Sequence, residues 1–390
     1  MKQTIDKTEV KPRIWTKNFV LISFATFFLF ISFQMLLPIL PDYAVSLGVN
    51  KSYLGLITGS LTITSIFFRP FVGRAVDTYG RKVIYLIGLC IYLSAMVGYF
   101  FATTLFFMLA LRVVHGAGWA ATSGGAVTIV ADITPESRRG EGMGYYGVCN
   151  TLAMAVAPAL GLFILDGWGY LPVFAVGLAA TILTTLFASL IKLPPYTAPD
   201  KQAQKVSMFE KRAFRVSLTL FFTTISYGVI VTFLPLYAAE HGIANIGLFF
   251  TVYALGLLVS RPTCGIYYDR RGPKLLILGG SLLLVVSLLT LAFAQDLSHF
   301  LIAGVLYGFG FGAVQPTIYA LSVEGIEPHR RGAATSMVMA SWDLGMGIGA
   351  IVLGFIANYT SYSFVYLLSS LFILAALGSF FLFRKKPAVC

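Results

Sequence analysis

Arg112, His115 and Trp119 stand at i, i+3 and i+7 of an apolar run, with Thr122 and Ser123 one turn on. A helix gathers such a set on one stripe. An unperturbed imidazole titrates near pH 6.5, so His115 suits proton exchange about neutrality. Asp343 is the one carboxylate well inside an apolar run, preceded by Trp342 and followed by Gly345, Gly347 and Gly349. It can carry a proton, or it can sit in a structural ion pair, for instance with Arg112. At bilayer depth an ionisable side chain costs about 2.5–3.5 kcal/mol, so each of these is a functional candidate. They are groups for binding and proton exchange. No nucleophile–base pair accompanies them, no GxxxxGK[ST] run offers a site for ATP, and no His/Cys/carboxylate set has metal-site spacing.

A second set is charged and repeated. RPFVGRAVDTYGRK (69–82) and RPTCGIYYDRRGPK (261–274) share Arg-Pro, Gly, Asp, Gly and Lys, each pair 192 positions apart. His115-Gly116-Ala117-Gly118 matches Tyr307-Gly308-Phe309-Gly310 at the same offset, and PESRRG ending at Gly140 matches PHRRG ending at Gly332. Topology accounts for most of the case for Arg74, Arg81 and Lys82. It does not account for Asp77 and Asp269, because acids contribute little to orientation in a membrane. Each needs a cationic partner or the positive amino end of a helix. For Asp77, Arg138 or Arg139 is one choice and a helix terminus the other.

The elements that must position these residues follow from composition. Hydrophobic residues make up 57% of the 390, charged residues 11%, and the mean hydropathy is +0.83. Soluble domains carry about 25% charged residues, which excludes an ordinary soluble enzyme. Twelve apolar runs emerge: roughly 19–40, 54–72, 83–101, 105–131, 142–164 and 172–191, then 216–239, 246–264, 275–294, 300–323, 333–356 and 363–383. Each is long enough to cross a hydrocarbon core of about 30 Å as a helix, the form that satisfies its own backbone in lipid. The first run reads as helix 1, not a cleaved leader. With the amino terminus inside, 24 of the 28 Lys and Arg residues fall on the inner side, which places both termini in the cytoplasm. The net charge of +12 then faces anionic headgroups and marks topology, not nucleic-acid binding. The chain divides into a six-helix bundle over 1–191, a polar central loop over 192–215 whose VSMFEKRAFR end suits a short surface helix, and a second bundle over 216–390. Helix 2 is expected to stop near Val72, with Gly73 and Gly80 turning the chain.

GRAVDTYGRK resembles the Gly-x-x-x-Asp-x-x-Gly-Arg-Lys motif of the major facilitator superfamily, in the loop between helices 2 and 3 where that family has it. LALRVVHGAGWA (109–120) is similar to the family's helix-4 motif, and the likeness extends over the whole chain. Gly144, Pro158 and Gly161 match the helix-5 antiporter motif of drug/proton exporters in part, with Ala153, Ala157 and Leu162 replacing other glycines. The resemblance implies an all-α membrane protein of twelve transmembrane helices in two pseudo-symmetric six-helix bundles.

It further implies that helices 1, 4, 7 and 10 line a central cavity. Gln34, Arg112, His115, Trp119, Tyr227, Thr232, Tyr307 and Gln315 are then expected to face substrate, the neutral ones having helix–helix contact as their plainer role. Asp343 and His115 are the expected proton carriers, since Gln34 occupies helix 1 where many drug/proton antiporters have an acid. Asp77 is expected to meet the start of helix 11 after Gly332, and Asp269 the start of helix 5 after Gly140. With Arg81, Arg138, Arg139, Arg270, Arg330 and Arg331 they would form an inner-side latch that holds an outward-open state. The resulting expectation is a proton-coupled exporter of a small organic molecule or drug. It would be a monomer in the cell membrane, with the proton gradient as its energy source and no cofactor. Export of an anionic metabolite, sugar or metallophore is the alternative. A transport-dead sensor or scaffold would need neither latch nor inward polar stripe, and a membrane enzyme would need paired catalytic groups.

Overall fold

The computed structural model describes residues 12–49, 53–193, 209–243 and 245–382. Among them are twelve long helices: α1 Lys17–Ser46, α2 Leu54–Tyr79, α3 Arg81–Gly98, α4 Leu105–Ile133, α5 Arg139–Trp168, α6 Tyr170–Leu190, α7 Phe214–Glu240, α8 Gly247–Arg271, α9 Lys274–Ala292, α10 Leu297–Val323, α11 Arg331–Tyr359 and α12 Tyr362–Leu382. Eleven are long and apolar enough to cross a membrane, and α2, with 26 residues, matches them in length. Most of 206–215 lies outside the described residues or in the short 3-10 turn Lys211–Ala213 that leads into α7.

Local chemistry sets several ends, and in mirrored pairs. Thr104 caps α4 by accepting the amide of Phe107, and Asp296, 192 residues on, caps α10 by accepting that of His299. Each side-chain acceptor satisfies one of the amides a helix start leaves unbonded. Gly80 (φ 94°) ends α2 and Gly272 (φ 78°) ends α8, in backbone conformations that cost glycine nothing. The expected stop near Val72 is therefore corrected: α2 runs to Tyr79 and carries Gly73 and Asp77 within it. α8 likewise runs past Cys264 to Arg271.

Packing repeats from one set of six to the other. In the first, α1 packs on α5 and α6, α2 on α4, and α3 on α4 and α6. In the second, α7 packs on α11 and α12, α8 on α10, and α9 on α10 and α12. Two extensive contacts cross between the sets, α2 with α11 and α5 with α8. These two seams exchange with each other under the same repeat, so the crossing surface is itself two-fold.

Candidate functional site: two seams and a buried ion pair

Glycine lets the seam helices touch backbone to backbone. A Cβ on Gly73 would stand 2.8 Å from that of Ser336 and 3.0 Å from the carbonyl oxygen of Gly332. On the other seam, Gly140 faces Gly265 and Tyr268, while Gly144 faces the carbonyl of Arg261. That contact gives Gly144, the first glycine of the antiporter-like motif, a physical reason. Pro158 lies within α5, and Gly161 packs against Met35 and Ile39 of α1 instead. Gly144→Val is expected to wedge α5 from α8 at a cost of about 1–3 kcal/mol. Flux should fall, and maleimide labelling of Cys264 on α8 should rise; unchanged labelling would count against the wedge.

The seams converge on the end where Arg81, Arg138, Arg139, Arg330 and Arg331 gather. There the fully buried Asp77 accepts the amides of Gly332 and Ala333, each at 2.7 Å. Asp269 accepts those of Gly140 at 2.7 Å and Glu141 at 2.8 Å. Each carboxylate thus caps the first turn of a helix from the opposite set, which stabilises it by up to about 2 kcal/mol when partly buried. The alternative partners of Asp77 are engaged elsewhere. Arg138 forks onto Glu141 at 2.9 and 2.8 Å and donates to the carbonyl of Pro12. Arg139 pairs with Glu136 at 3.2 Å. Arg330 pairs with Glu210 at 2.9 Å, and Arg270 is exposed.

Asp132, at the end of α4, escaped the sequence reading. It takes Arg331 of α11 at 2.6 Å and Arg81 at 2.5 Å, and Arg81 also donates to the carbonyl of Pro328. One acid therefore ties two cations, one from each set, next to Asp77. Its position just past an apolar run was the available signal.

About 18 Å along α11 from Arg331, at 1.5 Å per residue, the α2–α11 seam holds a second polar cluster. Asp343 Oδ2 accepts Arg69 Nε at 2.9 Å and Ser65 Oγ at 2.9 Å, with Arg69 Nη2 at 2.8 Å. Arg69 Nη1 reaches Ser123 of α4 at 3.2 Å. Both charges are nearly inaccessible, Arg69 at 2% and Asp343 at 5%. The proposed partner Arg112 is corrected to Arg69. α2 crosses α11 at this depth and brings Arg69 to Asp343, whereas Arg112 bonds the Ile57 carbonyl of α2 at 2.8 Å.

The stripe on α4 is buried, but its polar atoms turn into the first set. His115 Nδ1 lies 3.0 Å from the Tyr99 hydroxyl, its ring edge-on to Tyr92 and Phe33. Trp119 stacks on Phe33 at 3.9 Å and meets Phe30 edge-on. In the second set Tyr227 stacks on Phe311 at 5.3 Å beside Trp342. Tyr307 is fully buried and shares a hydrogen bond with Ser226 at 2.8 Å, a helix–helix contact. Gln315 accepts from Arg261 and donates to Tyr319. Gln34 is half-buried and Thr232 exposed. The expected residues therefore separate into two aromatic clusters, one per set, and polar groups that hold helices together.

α5 and α11 are the least buried of the eleven apolar spans. Beyond the basic end, Gly345 and Gly349 of α11 pack on α7 and Gly161 of α5 packs on α1, while Ile351, Val352 and Phe355 of α11 are exposed.

Comparison with known proteins agrees with this architecture. The sequence model of the Major Facilitator Superfamily matches residues 22–245 and 216–389. The Staphylopine export protein of Staphylococcus aureus is 25% identical over 360 residues, covering 87% of this chain and 89% of that protein. The Multi-drug resistance efflux pump PmrA homolog of Lactococcus lactis is 28% identical over 393 residues, covering 95% and 96%. The crystal structure of the transporter FucP in its outward conformation superposes with a TM-score of 0.78 at 17% identity, covering 96% of this chain and 100% of FucP. At that identity the likeness concerns the fold alone.

Proposed function

This chain belongs to the Major Facilitator Superfamily, and from that premise as a transporter we propose that it exports small organic molecules against a proton gradient by alternating access. The basic end is the cytoplasmic one in this reading, with both termini inside, the protein a monomer in the cell membrane and no cofactor needed. One observation carries it: Asp343 and Arg69 form a buried ion pair across the α2–α11 seam, above the Asp77 cap on the same seam. A proton on Asp343 removes the charge that Arg69 and Ser65 hold, and so weakens the closed inner side. Tyr319 is a further titratable group near the pair. Coupling then means that substrate and proton compete for the open and closed arrangements of one seam. Moving one charge across 100 mV supplies about 2.3 kcal/mol, enough for a gradient of a few tens-fold. Export as the direction is supported by the names of the staphylococcal and lactococcal relatives.

A second reading, export of an anionic metabolite or metallophore, is favoured by the cations Arg112 and Arg261. Both are buried and bonded to neutral groups. The test is flux in liposomes under an imposed pH gradient, with ethidium as the first probe. Flux that follows the gradient supports the proposal. Flux indifferent to it, from active protein, would overturn proton coupling.

A further inference from the structure

We propose that Arg261 is an anion-binding residue of the transport site and that the substrate it takes carries a carboxylate. The inference rests on the reading of the chain as an alternating-access transporter. Arg261 of α8 is 3% exposed. It donates to the Gly147 carbonyl of α5 and to Gln315 of α10, and its Nε has no acceptor. Among the described residues no carboxylate stands within ion-pairing distance of it. Guanidinium remains charged in proteins, and a buried charge without a counter-charge is strongly disfavoured.

The internal repeat shows what is missing. Arg69 and Arg261 are 192 positions apart, and so are Ser123 and Gln315, which bond those two guanidiniums in turn. The position equivalent to Asp343 is Thr151. Its hydroxyl donates at 3.1 Å to the same Gly147 carbonyl that Arg261 uses. The α2–α11 seam therefore contains its own carboxylate, and the α5–α8 seam has a hydroxyl in that place. Arg112 also lacks a carboxylate, but it is bonded within the first set. Arg261 bridges the two sets, so parting α5 from α8 strips it of Gly147. A carboxylate entering the open cleft meets a planar fork of donors with an unused Nε, a geometry suited to two parallel hydrogen bonds. Loading of an acidic substrate and opening of this seam become one event.

The test uses the purified full chain titrated with sodium benzoate, benzamide or sodium chloride, read as a shift in Tm. Benzoate is expected to raise the wild-type Tm by about 2–4 °C at tenfold excess over half-saturation, with no rise for benzamide or an equal concentration of chloride. Arg261→Gln is expected to lose the response. Because that variant can fail to fold, Thr151→Asp is the companion: it leaves Arg261 in place, supplies an internal counter-charge, and should abolish the benzoate shift. An equal shift with chloride, no shift in the wild type, or an undiminished shift in Thr151→Asp would each overturn the proposal. Flux by the wild type in liposomes, probed in parallel with ethidium and with labelled benzoate, tests the transport reading separately. Flux of either probe without a benzoate shift removes only the anion site, and a shift lost in Thr151→Asp with neither probe transported removes only the transport reading.

Discussion

Asp77→Ala is expected to reduce transport by about tenfold or more while the amount of protein in the membrane stays unchanged. The substitution removes both acceptors at the start of α11, leaving the amides of Gly332 and Ala333 buried against Gly73 and Val76. Hydrogen bonds to a charged group contribute about 1.5–3 kcal/mol each, and every 1.4 kcal/mol is about a tenfold change in an equilibrium. Losing both weakens the closed inner arrangement by more than one decade, even after relaxation lets water reach the amides. Insertion does not depend on this contact, since it forms between finished helices. Asp77→Asn, which keeps one acceptor and loses the charge, should fall between. Transport rate and surface abundance measured together decide the matter, and undiminished flux by Asp77→Ala would remove the latch. Asp269→Ala should act in the same direction with a smaller effect, because Asp269 is only partly buried where Asp77 is fully so.

Asp343→Asn is expected to abolish the proton release that accompanies substrate addition and to lower the stability of the purified protein. Arg69 would remain charged at 2% exposure with neutral acceptors alone as its partners, Ser123 and the amide oxygen of the substituted side chain. Breaking a buried pair by removing one member costs about 3–5 kcal/mol, much of it from the stranded charge. The double variant Arg69→Gln/Asp343→Asn should therefore regain part of the lost stability, a coupling that a double-mutant cycle isolates. It should not regain proton coupling. A pH electrode separates the two roles: if Asp343→Asn still releases protons on substrate binding, Asp343 is a structural partner only. Retention of release there with its loss in His115→Gln would move the carrier to α4.

Much of the scaffold was legible because lipid enforces it. A run of about twenty apolar residues has one backbone solution in a bilayer, and the 192-residue offset exposed a duplication before any contact was known. The caps on Asp77 and Asp269 were legible in two steps: a lone acid at a membrane boundary must find positive potential, and the resemblance to the major facilitator superfamily implied which helix starts supply it. Hydropathy failed where helix and hydrocarbon part company. α2 and α8 continue through Asp77 and Asp269 because polar residues propagate a helix in water as well as apolar ones do in lipid. Spacing also failed to give direction. It gathers Arg112, His115 and Trp119 on a stripe, but only packing reveals that His115 turns to Tyr99 and Tyr92. The Arg69–Asp343 pair joins residues 274 positions apart. Three cations inside apolar runs offered themselves to one acid, and the choice among them depended on which helix crosses α11 at that depth.

Because Gly73, Gly140, Gly144, Gly265 and Gly332 present bare backbone where the two sets meet, separating those faces frees few side-chain rotamers and closing them traps few. Such a junction slides apart like a smooth bearing, without the friction of interlocked knobs. In the proposed cycle its timing would then be governed by a handful of charges at its rim and floor, which a single proton or ligand would be strong enough to tip.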